Sequence, residues 1–380
     1  MRIVINGWFI DQPHTGSGQY LRQLIARLPV LAPQHEYHLI VPDRRSFKVI
    51  DLTADSINQP TDYPTNRLSQ FRKLLFEQSI IPRAANALHA DVIHVPYWAP
   101  PLGARAPIVV TIHDLIPLLL KEYRGGPLVR MYTGLVTAAA RGASLILTDS
   151  NASRRDIIQH LRVPAARVRT IYLAADPKFN PKPDAVDRAA VRRKYDLPDE
   201  YVLYLGGFDP RKNVEAALQV YTWGQDTIGH DYPLVVAGRL PEGSHGFFVD
   251  PREIAKQIEV EDAVRFVGDV DEEDKAALYQ GATAFLYPSR YEGFGLPALE
   301  ALACGVPVVG SNTASIPEVV GDAGMLVDPD DARAMAGALI AVVTEPQLHD
   351  TLSERAVSQA AKFAWDKTVR ETVEAYESIR

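Results

Sequence analysis

Ala284-Phe285-Leu286-Tyr287-Pro288-Ser289-Arg290-Tyr291-Glu292-Gly293-Phe294-Gly295-Leu296-Pro297-Ala298-Leu299-Glu300 runs from an apolar stretch, through a glycine-rich turn, into a helical pattern. A strand, a tight turn and a helix start in that order make an anion cradle. The unpaired N–H groups of the first helical turn face outward, and the helix dipole favours negative charge there. Gly293 and Gly295 let the backbone approach a ligand where a side chain would block it. Glu292 lies before the cradle and Glu300 about a turn into the helix. Two carboxylates beside a phosphate would repel it, so they suit hydroxyl groups. Phosphate plus several hydroxyls describes a sugar nucleotide.

The alternation of β-rich and helical runs seen in this stretch repeats along the chain. Strands are predicted at Arg2–Ile5, Tyr37–Val41, Val92–His94, Ile108–Ile112, Leu145–Thr148 and Val168–Ile171, with helices at about 17–31, 66–89, 127–141 and 151–161. Residues 174–200 break the pattern: Ala174 to Pro183 holds three prolines and no period, as in an inter-domain linker. A second alternation follows, with strands at Tyr201–Leu205, Pro233–Ala237, Val264–Phe266, Ala284–Tyr287, Pro307–Gly310 and Met325–Val327. The fold class is α/β: two Rossmann-like, doubly wound parallel-sheet domains facing a central cleft, with ligands at the strand C-termini. The domains are expected at 1–173 and 201–363, joined by the 174–200 linker. An amphipathic helix from Trp365 to Ile379 ends the chain, as a plain cap or packed back on the first domain.

At 380 residues the chain suits two domains rather than one core. An apolar fraction of 47% and a charged fraction of 23% are those of a globular protein. The net charge of −7 argues against nucleic acid as a partner. Cys304 is the only cysteine, which excludes an intrachain disulfide and a thiolate metal cluster. Its setting reads as a buried helix end. Neither a signal peptide nor a bilayer-spanning run is evident, so a cytoplasmic, soluble or peripheral protein is expected.

Other loops add chemistry. Gly16-Ser17-Gly18 follows the first strand and resembles a phosphate cradle, but lacks the dinucleotide spacing G-x-G-x-x-G, with Leu21 in the third place; a tight turn alone explains it equally well. His113 ends a strand in Thr111-Ile112-His113-Asp114, either facing a sugar or forming a His–Asp pair that caps the next segment. Arg211 and Lys212 follow a strand and Gly206-Gly207, where two cations can clamp a diphosphate. Val267, in Val264-Arg265-Phe266-Val267-Gly268, stands in a strand end that can hold a nucleobase or be an ordinary strand–turn. Asp269-Val270-Asp271 resembles the D-x-D of metal-dependent sugar transferases. Its acidic run reads instead as a helix N-terminus, and no metal site is predicted.

From Phe266-Val267-Gly268 through Glu292-Gly293-Phe294-Gly295-Leu296-Pro297 to Val309, the chain resembles the retaining glycosyltransferases of family 4, with the GT-B fold. The resemblance includes the E-x7-E signature as Glu292 and Glu300. The first half is similar more loosely, through Thr15 to Tyr20 and Thr111 to Asp114. Phe76-Glu77-Gln78 and Asp91 to Tyr97 look like the mannosyltransferases of that family. The resemblance implies that Gly16 and Gly18 close over the diphosphate and that His113 lies by the transferred sugar. It implies that Arg211 and Lys212 neutralise the leaving group, that Glu292 holds sugar hydroxyls amid the amides of Phe294, Gly295 and Leu296, and that Glu300 grips the ribose. Many members carry an arginine where this chain has Gly207, so Arg211 takes over that charge. The last helix, 364–380, is implied to complete the first domain.

The resemblance implies a hexosyltransferase that retains anomeric configuration and needs no metal or other cofactor. GDP-mannose is the first choice of donor and a UDP-sugar the second; a sugar-nucleotide epimerase and a non-catalytic binding module are the rivals. The acceptor is expected to be a glycan or lipid-linked glycan; His94, Tyr97 and Trp98 in the first domain are its candidate contacts or else ordinary cleft lining. Peripheral association with the inner face of a membrane is compatible with this. The sequence sets neither linkage nor oligomeric state.

Overall fold

The computed structural model describes residues 1–43, 46–54, 70–182, 188–241, 243 and 247–379. The chain forms two compact units, Met1–Leu173 with Ala364–Arg380, and Ala174–Phe363.

The first unit begins with β1 (Arg2–Asn6), α1 (Gly16–Leu31), β2 (Glu36–Pro42) and β3 (Phe47–Leu52). After α2 (Gln70–Leu75) a single π turn leads into α3 (Ile81–Ala87). Next come β4 (Val92–Val95), β5 (Ile108–Thr111), α4 (Ile116–Leu119), α5 (Pro127–Arg141), β6 (Leu145–Thr148), α6 (Asn151–Leu161) and β7 (Val168–Thr170). The sheet order is β3-β2-β1-β4-β5-β6-β7. All pairings are parallel except β2 with β3. β4, β5 and β6 are buried along their whole length, as strands covered on both faces must be.

The six strands expected here form within a residue or two of their predicted limits. β3 was not predicted; it is a half-exposed edge that returns antiparallel beside β2. The helix expected over 66–89 is interrupted by the π turn, and residues 66–69 lie outside the described ones.

The second unit contains α7 (Arg188–Lys194), β8 (Val202–Leu205), α8 (Val214–Gly224), β9 (Leu234–Ala237), α9 (Pro251–Gln257), β10 (Val264–Gly268), α10 (Lys275–Gln280) and β11 (Ala284–Tyr287). It continues with α11 (Leu296–Ala303), β12 (Val308–Ser311), α12 (Ile316–Val320), β13 (Gly324–Val327), α13 (Ala332–Thr344) and α14 (Pro346–Ala360). Its sheet, β10-β9-β8-β11-β12-β13, is parallel throughout. The order reverses at β8, which lies between β9 and β11. Loops leaving β8 and β11 part at such a point and open a crevice at the strand ends.

The linker reading of 174–200 is corrected. Phe179 is buried edge-on against Tyr279, 5.7 Å between centroids, and Lys178 bonds Glu272 at 2.8 Å. α7 buries Val191. The described part of this segment is therefore packed onto the second unit. Its prolines hid a short helix whose charged surface carries no apolar period.

α15 (Trp365–Glu377) ends the chain and packs on α1 of the first unit. Thr368 donates to the Tyr172 carbonyl at 2.6 Å, and Tyr376 Oη meets His94 Nδ1 at 2.7 Å.

Candidate functional site

In the second unit the site grows from the two loops at the switch point. After β8, a 3-10 turn over Pro210–Lys212 ends in Asn213, whose left-handed backbone (φ 53°) turns the chain into α8. Asn213 Nδ2 donates to the carbonyls of Pro288 at 3.1 Å and Pro329 at 2.9 Å. The Arg290 N–H donates to the Arg211 carbonyl at 2.8 Å. These bonds hold the 3-10 turn against the loop after β11, although the two are some eighty residues apart in sequence.

Arg211 and Lys212 thereby converge on Glu292. Arg211 Nη1 reaches Glu292 Oε2 at 2.6 Å, and Lys212 Nζ reaches Oε1 at 2.6 Å. Lys212 Nζ also lies 3.4 Å from Tyr287 Oη and 5.4 Å from the centre of that ring. Glu292 is 8% exposed. Burial alone would raise its carboxyl; Lys212 and Arg211 outweigh this and hold it below the usual carboxylate range. Asp209 Oδ1 lies 3.6 Å from Arg211 Nε, so two cations share two carboxylates in the cluster. The expected cations and carboxylate are thus brought together, but they bind each other in the protein alone.

The turn before α11 is fixed from behind. Ser315 Oγ donates to the carbonyls of Glu292 at 2.8 Å and Phe294 at 2.7 Å. Gly295 has φ 106°, and nothing lies within 4 Å of where its Cβ would be, so backbone conformation rather than space calls for glycine. Phe294 is buried, 5.8 Å from Phe363. No side chain caps α11, so the amides from Leu296 onward carry the positive end of the helix dipole. Gly207 is exposed, and its carbonyl accepts from Tyr204 Oη at 2.8 Å. Val267 is half-buried at a bulge between Phe266 and Gly268, where β10 shifts its register on β9.

Glu300 sits on α11, its Oε2 accepting from Tyr279 Oη at 3.0 Å. Burial pushes its carboxyl from about 4.5 up to about 7. Folding therefore takes up a proton at Glu300 over that interval, and the stability owed to this group falls as pH rises through it. Glu300→Gln, which cannot ionise, is expected to gain melting temperature relative to the parent between about pH 5 and about pH 8. Parallel melting curves at the two pH values would deny this. Cys304 ends the same helix as expected, buried, with its thiol pushed up to about 12 by that burial.

The D-x-D carboxylates have other partners. Asp269 binds Arg239 at 2.7 Å and Asp271 binds Lys194 at 2.6 Å. The helix begins only at Lys275, with Asp274 at its cap, so the reading of Asp269 and Asp271 as its first turn is corrected. Among the described residues no three His, Cys, Asp or Glu side chains group as metal ligands.

In the first unit, Thr15 caps α1 by accepting from the Gly18 N–H at 3.1 Å. A Cβ on Gly18 would stand 2.0 Å from the Gln12 carbonyl oxygen, whereas Gly16 faces open space. Gly18 is thus required by packing and its N–H is already engaged, which corrects its expected contact with a diphosphate. Gly16 keeps the open approach.

His113 follows β5, and its Nδ1 bonds Asp149 Oδ2 at 2.6 Å, just past β6. Asp114, the neighbour in sequence, instead caps α4 through the Ile116 N–H at 2.9 Å. Burial would lower the His113 pKa; the Asp149 carboxylate, aided by Asp114, outweighs it and holds the imidazole above its usual value. Nε2 is buried, and a backbone hydrogen bond with Pro96 also favours the charged ring. Asp149 was not foreseen in the sequence, although Thr148-Asp149-Ser150 ends β6 as Thr111-Ile112-His113 ends β5.

The acceptor residues are partly corrected. His94 is fully buried, with Nε2 on Thr111 at 2.9 Å and Nδ1 on Tyr376 at 2.7 Å. Burial drives its pKa down to about 3, so it is a neutral core group with no ring nitrogen left for a ligand. Tyr97 is also buried and donates to Glu77 at 3.0 Å. Trp98 is half-buried and lines a cavity of about 330 Å³.

Comparison with known proteins identifies the family. The model described as "Glycosyl transferases group 1" matches residues 187–359, and "Glycosyltransferase Family 4" matches 14–179. The chain is 32% identical over 394 aligned residues to O-antigen chain mannosyltransferase B of Escherichia coli, covering all of both chains. The chain belongs to the group 1, family 4 glycosyltransferases. As such a glycosyltransferase it is also 31% identical over 277 residues to the serotype-specific mannosyltransferase WbdA of Escherichia coli, covering 70% of this chain and 33% of that one. In fold the glycosyltransferase matches sucrose-phosphate synthase from Thermosynechococcus elongatus, with a TM-score of 0.72 at 21% identity over 100% of this chain and 99% of that one. Among its described residues no helix is long and apolar enough to cross a membrane.

Proposed function

We propose that this glycosyltransferase moves a mannosyl group from GDP-mannose to a hydroxyl of a glycan or lipid-linked glycan in polysaccharide synthesis, retaining anomeric configuration and using no metal. The cytoplasmic face of a membrane is its proposed place of work. The Arg211–Glu292–Lys212 cluster carries the proposal. Breaking the bond between the sugar C1 and the diphosphate oxygen sends the electron pair to that oxygen and builds positive charge on the ring. Arg211, Lys212 and the α11 amides supply fixed positive charge for the leaving group, and preorganised charge of this kind is usually the largest catalytic term. The acceptor oxygen then bonds C1 from the face the diphosphate leaves, and its proton passes to the departing phosphate. In this reading Glu292 orients both cations and accepts sugar hydroxyls, while Glu300 accepts from the ribose. His113 lies by the transferred sugar in this reading. The donor choice rests on the two mannosyltransferase relatives.

The test is incubation with GDP-mannose, UDP-glucose and UDP-N-acetylglucosamine, each with and without a mannose-containing oligosaccharide. GDP release that depends on acceptor, with an extended glycan, is expected. UDP release would move the donor to the second choice. Epimerised sugar, or no turnover with any donor, would overturn the proposal.

A further inference from the structure

Tyr287 ends β11 beside the site, and packing accounts for its ring but not for its hydroxyl. The side chain is 1% exposed, and its ring stacks on that of Phe285, 5.3 Å between centroids and 26° between planes. A phenylalanine would fill that place. A buried hydroxyl is costly unless it is bonded. This one lies 3.4 Å from Lys212 Nζ, and the ammonium stands 5.4 Å from the centre of the ring.

Lys212, Glu292 and Tyr287 differ in what they can exchange. An ammonium only donates, a carboxylate only accepts, and a phenolic hydroxyl does both. Tyr287 therefore accepts from Lys212 and can donate to Glu292. Burial works against the charge on Glu292; Lys212 and Arg211 favour it most, and the Tyr287 hydroxyl adds to them. In the protein alone, Lys212 Nζ is engaged by Glu292 Oε1 at 2.6 Å. A diphosphate draws the ammonium off that oxygen on its flexible stem. Glu292 is 8% exposed, so an oxygen left unpaired there is costly.

Resting on the reading that Lys212 receives the leaving diphosphate, we propose that Tyr287 is a positioning residue that lets Lys212 pass between the carboxylate and the diphosphate. As the ammonium moves off Glu292 Oε1, the Tyr287 O–H turns to that oxygen in its place. Arg211 Nη1 stays on Oε2 at 2.6 Å, so Glu292 remains paired at both oxygens and keeps its charge. When the diphosphate departs, Lys212 returns to Oε1. Tyr287 thus acts through Lys212 and Glu292.

The experiment is calorimetric titration of the whole protein with GDP, UDP, guanosine and uridine, in the parent, Tyr287→Phe, Lys212→Met and the double variant. Tyr287→Phe keeps the ring and its stack on Phe285, so its melting temperature should match the parent. It is expected to bind the diphosphate about tenfold more weakly, since an unpaired buried acceptor carries a cost of that order, and to bind the nucleoside as the parent does. In the Lys212→Met background the same substitution should weaken the diphosphate no further, because no ammonium is there to exchange. Such non-additivity marks groups that act together. Equal diphosphate affinity of Tyr287→Phe and the parent, an equal loss in both backgrounds, or a loss shared by the nucleoside would each overturn the proposal while leaving the donor reading standing. A parent that binds neither diphosphate would sink the donor reading and this proposal with it.

Discussion

Lys212→Ala is expected to lower turnover about 10²- to 10³-fold, the usual cost of removing one preorganised group from a developing negative charge. The variant should remain folded. Glu292 keeps its 2.6 Å bond to Arg211, so no buried charge is orphaned. Glu292→Ala is the contrasting case. It leaves Lys212 without its carboxylate and Arg211 with Asp209 at 3.6 Å, their side chains 13% and 15% exposed. Breaking a buried pair in this way typically costs about 3–5 kcal/mol, so lost turnover in that variant would mix chemistry with unfolding. Steady-state kinetics with melting curves separate the two. Lys212→Ala at full activity would remove the residue from the site.

The second large effect is expected at the His113–Asp149 pair. Asp149 is 3% exposed and holds His113 Nδ1, which fixes the ring and its tautomer and leaves Nε2 facing out of the bond. Asp149→Asn keeps the shape but removes the charge that raises the imidazole pKa. With either Asn atom toward Nδ1, the pull toward the charged ring is gone. Turnover is expected to fall about 10²-fold through misplacement of the ring at the sugar. The pH at which activity is half lost on the alkaline side should move down, because the ring then loses its proton earlier. Asp149→Asn with unchanged rate and pH profile would make the pair structural only.

The strands were legible because β4, β5, β6, β8, β9 and β11 are short apolar runs bounded by turns, and covered parallel strands read that way. β3 was not, since Phe47-Lys48-Val49-Ile50-Asp51-Leu52 is an edge whose polar residues hide its pairing with β2. In the site, motif residues could be named singly, but their partners could not. Asp149 is 36 residues from His113, and only adjacency of β5 and β6 brings them together. Tyr287 read as core because it ends an apolar strand, yet its hydroxyl lies by Lys212. His94 misled for the opposite reason. A histidine near a strand end suggested a ligand, whereas Thr111 and Tyr376, the latter 282 residues away, satisfy both nitrogens inside the core. Gly18 showed the same ambiguity: its missing side chain makes room for Gln12, which sequence spacing does not reveal.

The central claim is that Arg211 and Lys212, poised on Glu292, receive the leaving diphosphate. Calorimetric titration tests it directly, using the nucleoside diphosphate that turnover releases and the matching nucleoside, against the parent and Lys212→Met. The account predicts that the variant binds the diphosphate about tenfold or more weakly, a loss of roughly 1.4 kcal/mol or more, while the nucleoside binds both proteins alike. Equal affinity of parent and variant for the diphosphate would contradict it.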